Sequence, residues 1–232
     1  MPRRNSEGTL PCPPVQEGGE GSGTRPGSGI RAVLWDFGGV ITESPFDAFR
    51  RYEDDHGLPA GFLRRLNATD PDGNAWAALE RGEIDLATFT RRFEAEAVTA
   101  GGRVDAMGVV SLLRGRVRPE MVEAVRRCHR RLKTGLLTNN FVTGDGAAAH
   151  AEVLPYFDVV VESARIGFRK PDPRFYAIAC EQLDTEPSEA VFLDDLGINL
   201  KPARALGMRT IKVVDPGAAL GELEAVVGFP LH

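Results

Sequence analysis

Short apolar runs interleaved with amphipathic stretches fill the second half of the chain, and this alternation limits the fold more than any other feature. After Pro119 the order reads helix "PEMVEAVRRCHRRLK", strand "TGLLT", strand "DVVVE", helix "PRFYAIACEQL", strand "AVFLD", helix "LKPARAL", strand "RTIKVV" and helix "LGELEAVV". Helical crossovers bring successive strands back in parallel, and they cover both faces of the resulting sheet. One earlier strand, "AVLW" at residues 32–35, belongs to the same pattern. Between it and the alternating region, residues 45–116 carry apolar positions at helical spacing in "FDAFRRYEDDHG", "AWAALERG" and "DLATFTRRFEAEAV". No strand stands out among them, so this stretch is expected to be an all-helical insertion. Residues 1–29 are rich in Gly, Pro and polar residues and are expected to form a disordered tail.

Composition narrows the function. With a net charge of −5 and mixed signs along the chain, no basic face is offered to nucleic acid or to acidic lipid. No run approaches the roughly 18 apolar residues of a membrane span, and no apolar stretch follows the charged N-terminus as in a secretory signal. A soluble, unexported, cytoplasmic protein with a small-molecule partner is expected. The three cysteines, Cys12, Cys128 and Cys180, are odd in number and lack metal-ligand spacing, which suits a reducing compartment.

In an open α/β sheet, ligands bind at the carboxyl ends of the strands. Asp36 ends the first strand, Thr138 and Asn139 end "GLLT", Asp194 and Asp195 end "VFLDD", and "VVVE" leads to a loop carrying Arg169 and Lys170. Each alone has an ordinary reading as a turn or cap residue; together, in this order, they describe one crevice. The chemistry available to such a set is phosphoryl transfer through a covalent intermediate, with Asp36 as nucleophile. A carboxylate approaching a phosphate needs positive charge nearby. Lys170 and a hard divalent cation held by Asp36, Asp195 and a backbone carbonyl would supply it, with Thr138 and Asn139 gripping the non-bridging oxygens. Mg²⁺ suits a few carboxylates, substrate oxygens and retained waters. The expected partner is therefore a small phosphorylated substrate.

These residues resemble the motifs of the haloacid dehalogenase (HAD) superfamily of phosphatases and dehalogenases. Asp36-Phe37-Gly38-Gly39-Val40 resembles the first motif, Thr138-Asn139 the second, Lys170-Pro171 the third, and Asp194-Asp195 with Asn199 the fourth. The C-terminal stretch is especially similar to the phosphatase domain of soluble epoxide hydrolases and the HAD region of acyl-CoA dehydrogenase fusion proteins. The resemblance implies an α/β, Rossmann-like doubly wound parallel sheet over residues 30–44 and 117–232, with an inserted helical cap at 45–116. It also implies that Asp36 is nucleophile and metal ligand, that Gly38 lends its carbonyl to the metal, that Asp195 is a metal ligand, and that Asp194 and Asn199 support the site. The chain ends at His232, and neither epoxide hydrolase nor dehydrogenase activity is expected of it.

One position departs from the pattern. HAD phosphatases usually carry a second Asp two residues after the nucleophile, as the general acid for the leaving group; here that position is Gly38. General acid catalysis is worth about 10²–10⁴-fold. A bacterial branch that includes sugar-1-phosphate phosphatases also has Asp-x-Gly, which favours a surviving enzyme. Glu43 is a candidate substitute donor, against the plainer reading of a solvated loop acid. Two rival functions stand beside the phosphatase: a 2-haloacid dehalogenase, which the adjacent acids Asp194 and Asp195 argue against because that chemistry needs no metal, and a catalytically impaired phosphate-binding regulatory module, for which Gly38 is the sequence support.

Overall fold

The computed structural model describes residues 29–140 and 152–231. The expected disordered tail, apart from Gly29, lies outside these. The strands β1 (Ala32–Trp35), β2 (Lys133–Thr138), β3 (Val159–Glu162), β4 (Ala190–Asp194) and β5 (Arg209–Lys212) form one parallel sheet in the order β3-β2-β1-β4-β5. Ten α-helices accompany them among the described residues, α1 (Pro45–Asp55), α2 (Phe62–Ala68), α3 (Ala75–Glu80), α4 (Leu86–Thr99), α5 (Ala106–Ser111), α6 (Pro119–His129), α7 (Ser163–Ile166), α8 (Pro173–Gln182), α9 (Gly197–Ala205) and α10 (Pro216–Val227). None is long and apolar enough to cross a membrane.

Period-two side-chain alternation divides the sheet between two cores. Val33 and Trp35 of β1 and Val191 and Leu193 of β4 face α6 and α10, packing with Met121, Val125, Leu220 and Leu223. Ala32, Leu34, Ala190 and Phe192 face the opposite way, onto Phe175 and Ala179 of α8 and Leu200 and Ala203 of α9. Strand β1 is buried throughout because β2 and β4 flank it. Several helix starts share a side-chain cap. Ser44, Asp172 and Asp215 each accept a backbone N–H at the start of α1, α8 and α10, and in each case Pro occupies the next position, where its missing N–H costs nothing. Helices α9 and α10 start at Gly197 and Pro216, earlier than the "LKPARAL" and "LGELEAVV" patterns suggest, because their glycine-containing first turns do not announce a helical apolar face.

Residues between β1 and α6 form the all-helical stretch that the periodicity predicts. Helices α1–α5 enclose their own apolar cluster, in which Trp76 packs against Phe89 and Phe93 with ring centroids 5.5 Å apart. The chain leaves and re-enters the sheet layer side by side: Glu43 N–H donates to Arg116 O at 2.9 Å, and Arg118 N–H donates to Ile41 O at 2.9 Å. The insertion therefore hangs from a two-stranded stem attached directly to the tip of β1.

The central strand should carry stability out of proportion to its length. Leu34 is fully buried on the α8/α9 face. Leu34→Ala should lower the unfolding free energy by about 2–5 kcal/mol, the range for buried Leu truncation. Urea denaturation followed by circular dichroism measures it; a loss well under 1 kcal/mol, by contrast, is what surface substitutions give.

Candidate active site

Parallel register brings the polar strand ends together. Trp35 lies level with Leu136 of β2 and Leu193 of β4, so Asp36 emerges beside Asp194 and close to the end of β2. In a sheet whose chain runs outward from β1 in both directions, this is the switch point, the place where α/β sheets bind their ligands.

Lys170 organises the crevice. Its Nζ lies 2.7 Å from Asp36 Oδ1 and 2.8 Å from Asp194 Oδ2. Its backbone is held as firmly: Asn139 Nδ2 donates to Lys170 O at 3.0 Å, and Lys170 N–H donates to Asn139 Oδ1 at 2.8 Å. Asn139 thus spends its amide on fixing the lysine loop. Asp194 is fully buried and its oxygens accept from Leu196 N–H at 2.8 Å, from Asn199 Nδ2 at 3.1 and 3.0 Å and from Lys170. Asn199 is held in turn by α8, whose Tyr176 hydroxyl donates to Asn199 O at 2.7 Å. Thr138 closes β2 level with Glu162 of β3 and reaches the same edge by register.

Asp36, Asp194 and Asp195 place ligand oxygens within 4.8 Å of one another. Three carboxylates around one ammonium leave excess negative charge, and the ionisation equilibria respond. Burial pushes the Asp36 carboxyl up to about 8, with repulsion from Asp194 and Asp195 adding to it and Lys170 opposing it. Burial and then Asp194 push Asp195 up to about 6. Burial works against the Lys170 ammonium, but Asp194 and Asp36 outweigh it and raise its pKa. A bound divalent cation would relieve this excess, and a cluster of hard oxygen donors is the chemistry such a cation prefers.

The two glycines after Asp36 differ. Gly39 has φ 80°, and a Cβ there would fall 2.6 Å from Asp195 Cγ. Only glycine meets both demands. Gly38 has φ −70° and ψ 125°, an ordinary extended backbone, and a Cβ there would meet no atom within 4 Å. The fold requires Gly39; it would accept a side chain at 38. Glu43 is turned away to Arg116, 2.9 Å distant on the exposed stem, and does not join the carboxylate cluster.

Sequence reasoning missed Glu80. This α3 residue is nine-tenths buried, accepts from Trp76 Nε1 at 2.9 Å, and faces Arg169 Nε at 2.9 Å across the junction with the insertion. Burial raises its pKa, and Arg169 and, more weakly, Lys170 and Asn139 oppose the shift. The only signal was the i,i+4 spacing of Trp76 and Glu80.

The chain is 38% identical over 212 residues to acyl-CoA dehydrogenase family member 10 of Mus musculus, covering 89% of this chain and 20% of that protein's length. It is 33% identical over 203 residues to the phosphatase MT3486 of Mycobacterium tuberculosis (strain CDC 1551 / Oshkosh), covering 79% of this chain and 87% of the relative. The crystal structure of a HAD family enzyme from Bacteroides thetaiotaomicron, in complex with magnesium and inorganic phosphate, shares the fold with a TM-score of 0.54 and 21% identity, covering 79% of this chain and 93% of that one. Residues 30–207, which run from the start of β1 past the Asp194–Asn199 support of the site, match the haloacid dehalogenase-like hydrolases, and the chain belongs to that family.

Proposed function

We propose that the protein is a Mg²⁺-dependent phosphatase that hydrolyses a small phosphate ester through an aspartyl-phosphate intermediate on Asp36. The observation that carries this reading is the buried Lys170 ammonium held between Asp36 and Asp194 at the strand tips. Asp36 attacks phosphorus with a carboxylate oxygen, the ester oxygen leaves with its electron pair, and water then cleaves the acyl phosphate to release phosphate and restore Asp36. Lys170 stabilises negative charge on the transferring group, the Thr138 hydroxyl donates to a non-bridging oxygen, and Asn139 keeps the lysine loop in place. Asp36, Asp195 and the Gly38 carbonyl would hold the Mg²⁺, which when bound supplies positive charge for the meeting of two anions. Asp194 and Asn199 hold this arrangement from below. The phosphatase relative supports the reading, as does the structural neighbour that contains magnesium and phosphate.

With glycine at 38, no carboxylic acid of the chain stands two residues beyond the nucleophile to protonate the departing oxygen. The transition state then leaves more charge on that oxygen, and good leaving groups such as aryl, acyl or anomeric phosphates are favoured over alkyl phosphates.

Three outcomes are expected. Asp36→Asn should reduce metal-dependent phosphate release to background while the melting temperature holds, since an amide is no nucleophile. A phosphate-release screen over many esters, with and without Mg²⁺ and with halide release measured in parallel, checks it; halide release without metal would instead make the protein a dehalogenase.

Protons and Mg²⁺ compete for the same carboxylates. The folded-state pKa values of Asp36 and Asp195 are raised to about 8 and about 6, from 3.8. Their contribution to the stability of the metal-free protein is therefore full below pH 3.8 and is lost as pH rises through those values. Mg²⁺ binds the ionised forms, so the rise in melting temperature on adding it should be larger at pH 8 than at pH 6. Thermal unfolding at the two pH values measures it, and a gain that shrinks with rising pH would remove these carboxylates from the metal site.

Gly38→Asp should fold normally, because the added Cβ enters open space at an ordinary φ. It should raise turnover of alkyl phosphates by up to about 10²-fold and flatten the dependence of rate on leaving-group pKa. A series of esters assayed with both proteins tests this; a series already flat in the parent would mean that another group serves as the acid.

A further inference from the structure

Arg169 and Lys170 are neighbours in sequence with opposite assignments. Lys170 points into the carboxylate cluster and touches Asp36 and Asp194. Arg169 points into the helical insertion, where its Nε faces Glu80 Oε2 at 2.9 Å and its Nη1 donates to Pro71 O at 3.1 Å. One guanidinium therefore grips two segments of the insertion. Glu80 Oε2 and Arg169 Nε are both buried and neither makes a hydrogen bond, so the 2.9 Å charge contact between them is what offsets the burial of these two atoms. Glu80 is itself oriented by Trp76, a member of the insertion's apolar cluster. The contact surface is tight beside this pair: Gly82, at φ 70°, lies so close to α7 that a Cβ would come within 2.6 Å of Ala164 O.

The turn between them is stiff. Asp172 N–H donates to Arg169 O at 2.8 Å, and Asn139 clamps the Lys170 backbone from both sides. A displacement of Arg169 cannot be absorbed within one residue without straining these bonds, so it is passed to Lys170.

We propose that Glu80 and Arg169 are positioning residues that dock the helical insertion on the loop carrying Lys170, so that Lys170 stays in register with Asp36 only while the insertion is seated. The docking stands on geometry alone; its catalytic consequence rests on the phosphatase reading above.

The test uses the full chain with Glu80→Gln, Arg169→Met and the conservative Arg169→Lys, separately, and the first two combined. Hydrogen–deuterium exchange should show reciprocal effects, as linkage between two sites requires. Arg169→Met should speed exchange in residues 71–83 of the insertion, and Glu80→Gln should speed exchange in the 169–172 turn, including the Lys170 amide that Asn139 accepts from. With an aryl phosphate and Mg²⁺, each loss variant should lower kcat by about tenfold or more while KM changes by under about twofold. Arg169→Lys should recover part of kcat, and the double variant should be no worse than the poorer single one. Exchange that rises only on the mutated side, or losses in kcat that multiply, would overturn the coupling. If the parent releases no phosphate from any ester, the phosphatase reading fails, and the reciprocity of exchange alone then decides whether the insertion is docked through this pair.

Discussion

A lysine whose side chain is 1% exposed is the constraint on which the rest of the site depends. Moving an ammonium out of water costs several kcal/mol unless opposite charge meets it with good geometry. Here two carboxylates do so from two adjacent strands, and the lysine arrives from the loop after a third. None of these three pieces is tenable alone: an unpaired Asp194, fully buried, would be as costly as an unpaired Lys170. The strand order, with β1 between β2 and β4, is what lets all three meet at one point.

The pairing is also incomplete. Asp195 joins Asp36 and Asp194 within a few ångströms, and the ammonium cannot satisfy all three. Burial first, and then repulsion within the cluster, raises the pKa values of Asp36 and Asp195. A structural ion pair would be closer to balance; under the proposed function, a site that receives a cation and then an anion has reason to stay out of balance until they arrive.

How much of this could be read from sequence depended on range. The strands were legible because apolar runs and helical periodicity are local, and the Ser-Pro and Asp-Pro starts of α1 and α8 are local as well. Asp36, Asp194, Asp195 and Lys170 were legible because parallel strands put all their carboxyl ends on one edge, so sequence position translates directly into place. The starts of α9 and α10 were not, since their glycine-containing first turns do not announce a helical apolar face. Nor was the work of the Asn139 amide, which turns to the Lys170 backbone. Glu80 escaped because its partner Arg169 lies in another layer of the molecule, and nothing in "ALERG" distinguishes a buried acid from a solvated helix end. The paired glycines needed backbone angles: side by side in sequence they look equivalent, and only φ and the nearness of Asp195 separate them.

That separation has an evolutionary side. A glycine codon becomes an aspartate codon by a single base change, and position 38 already holds the backbone angles and the vacant room that an acid would occupy. No second substitution is needed to make space, so chains with and without the acid are direct neighbours in sequence space, joined by a step that leaves the fold intact. Position 39 offers no such exit, since any side chain there collides with Asp195. Of two adjacent glycines, one is fixed by architecture and the other is left free to vary.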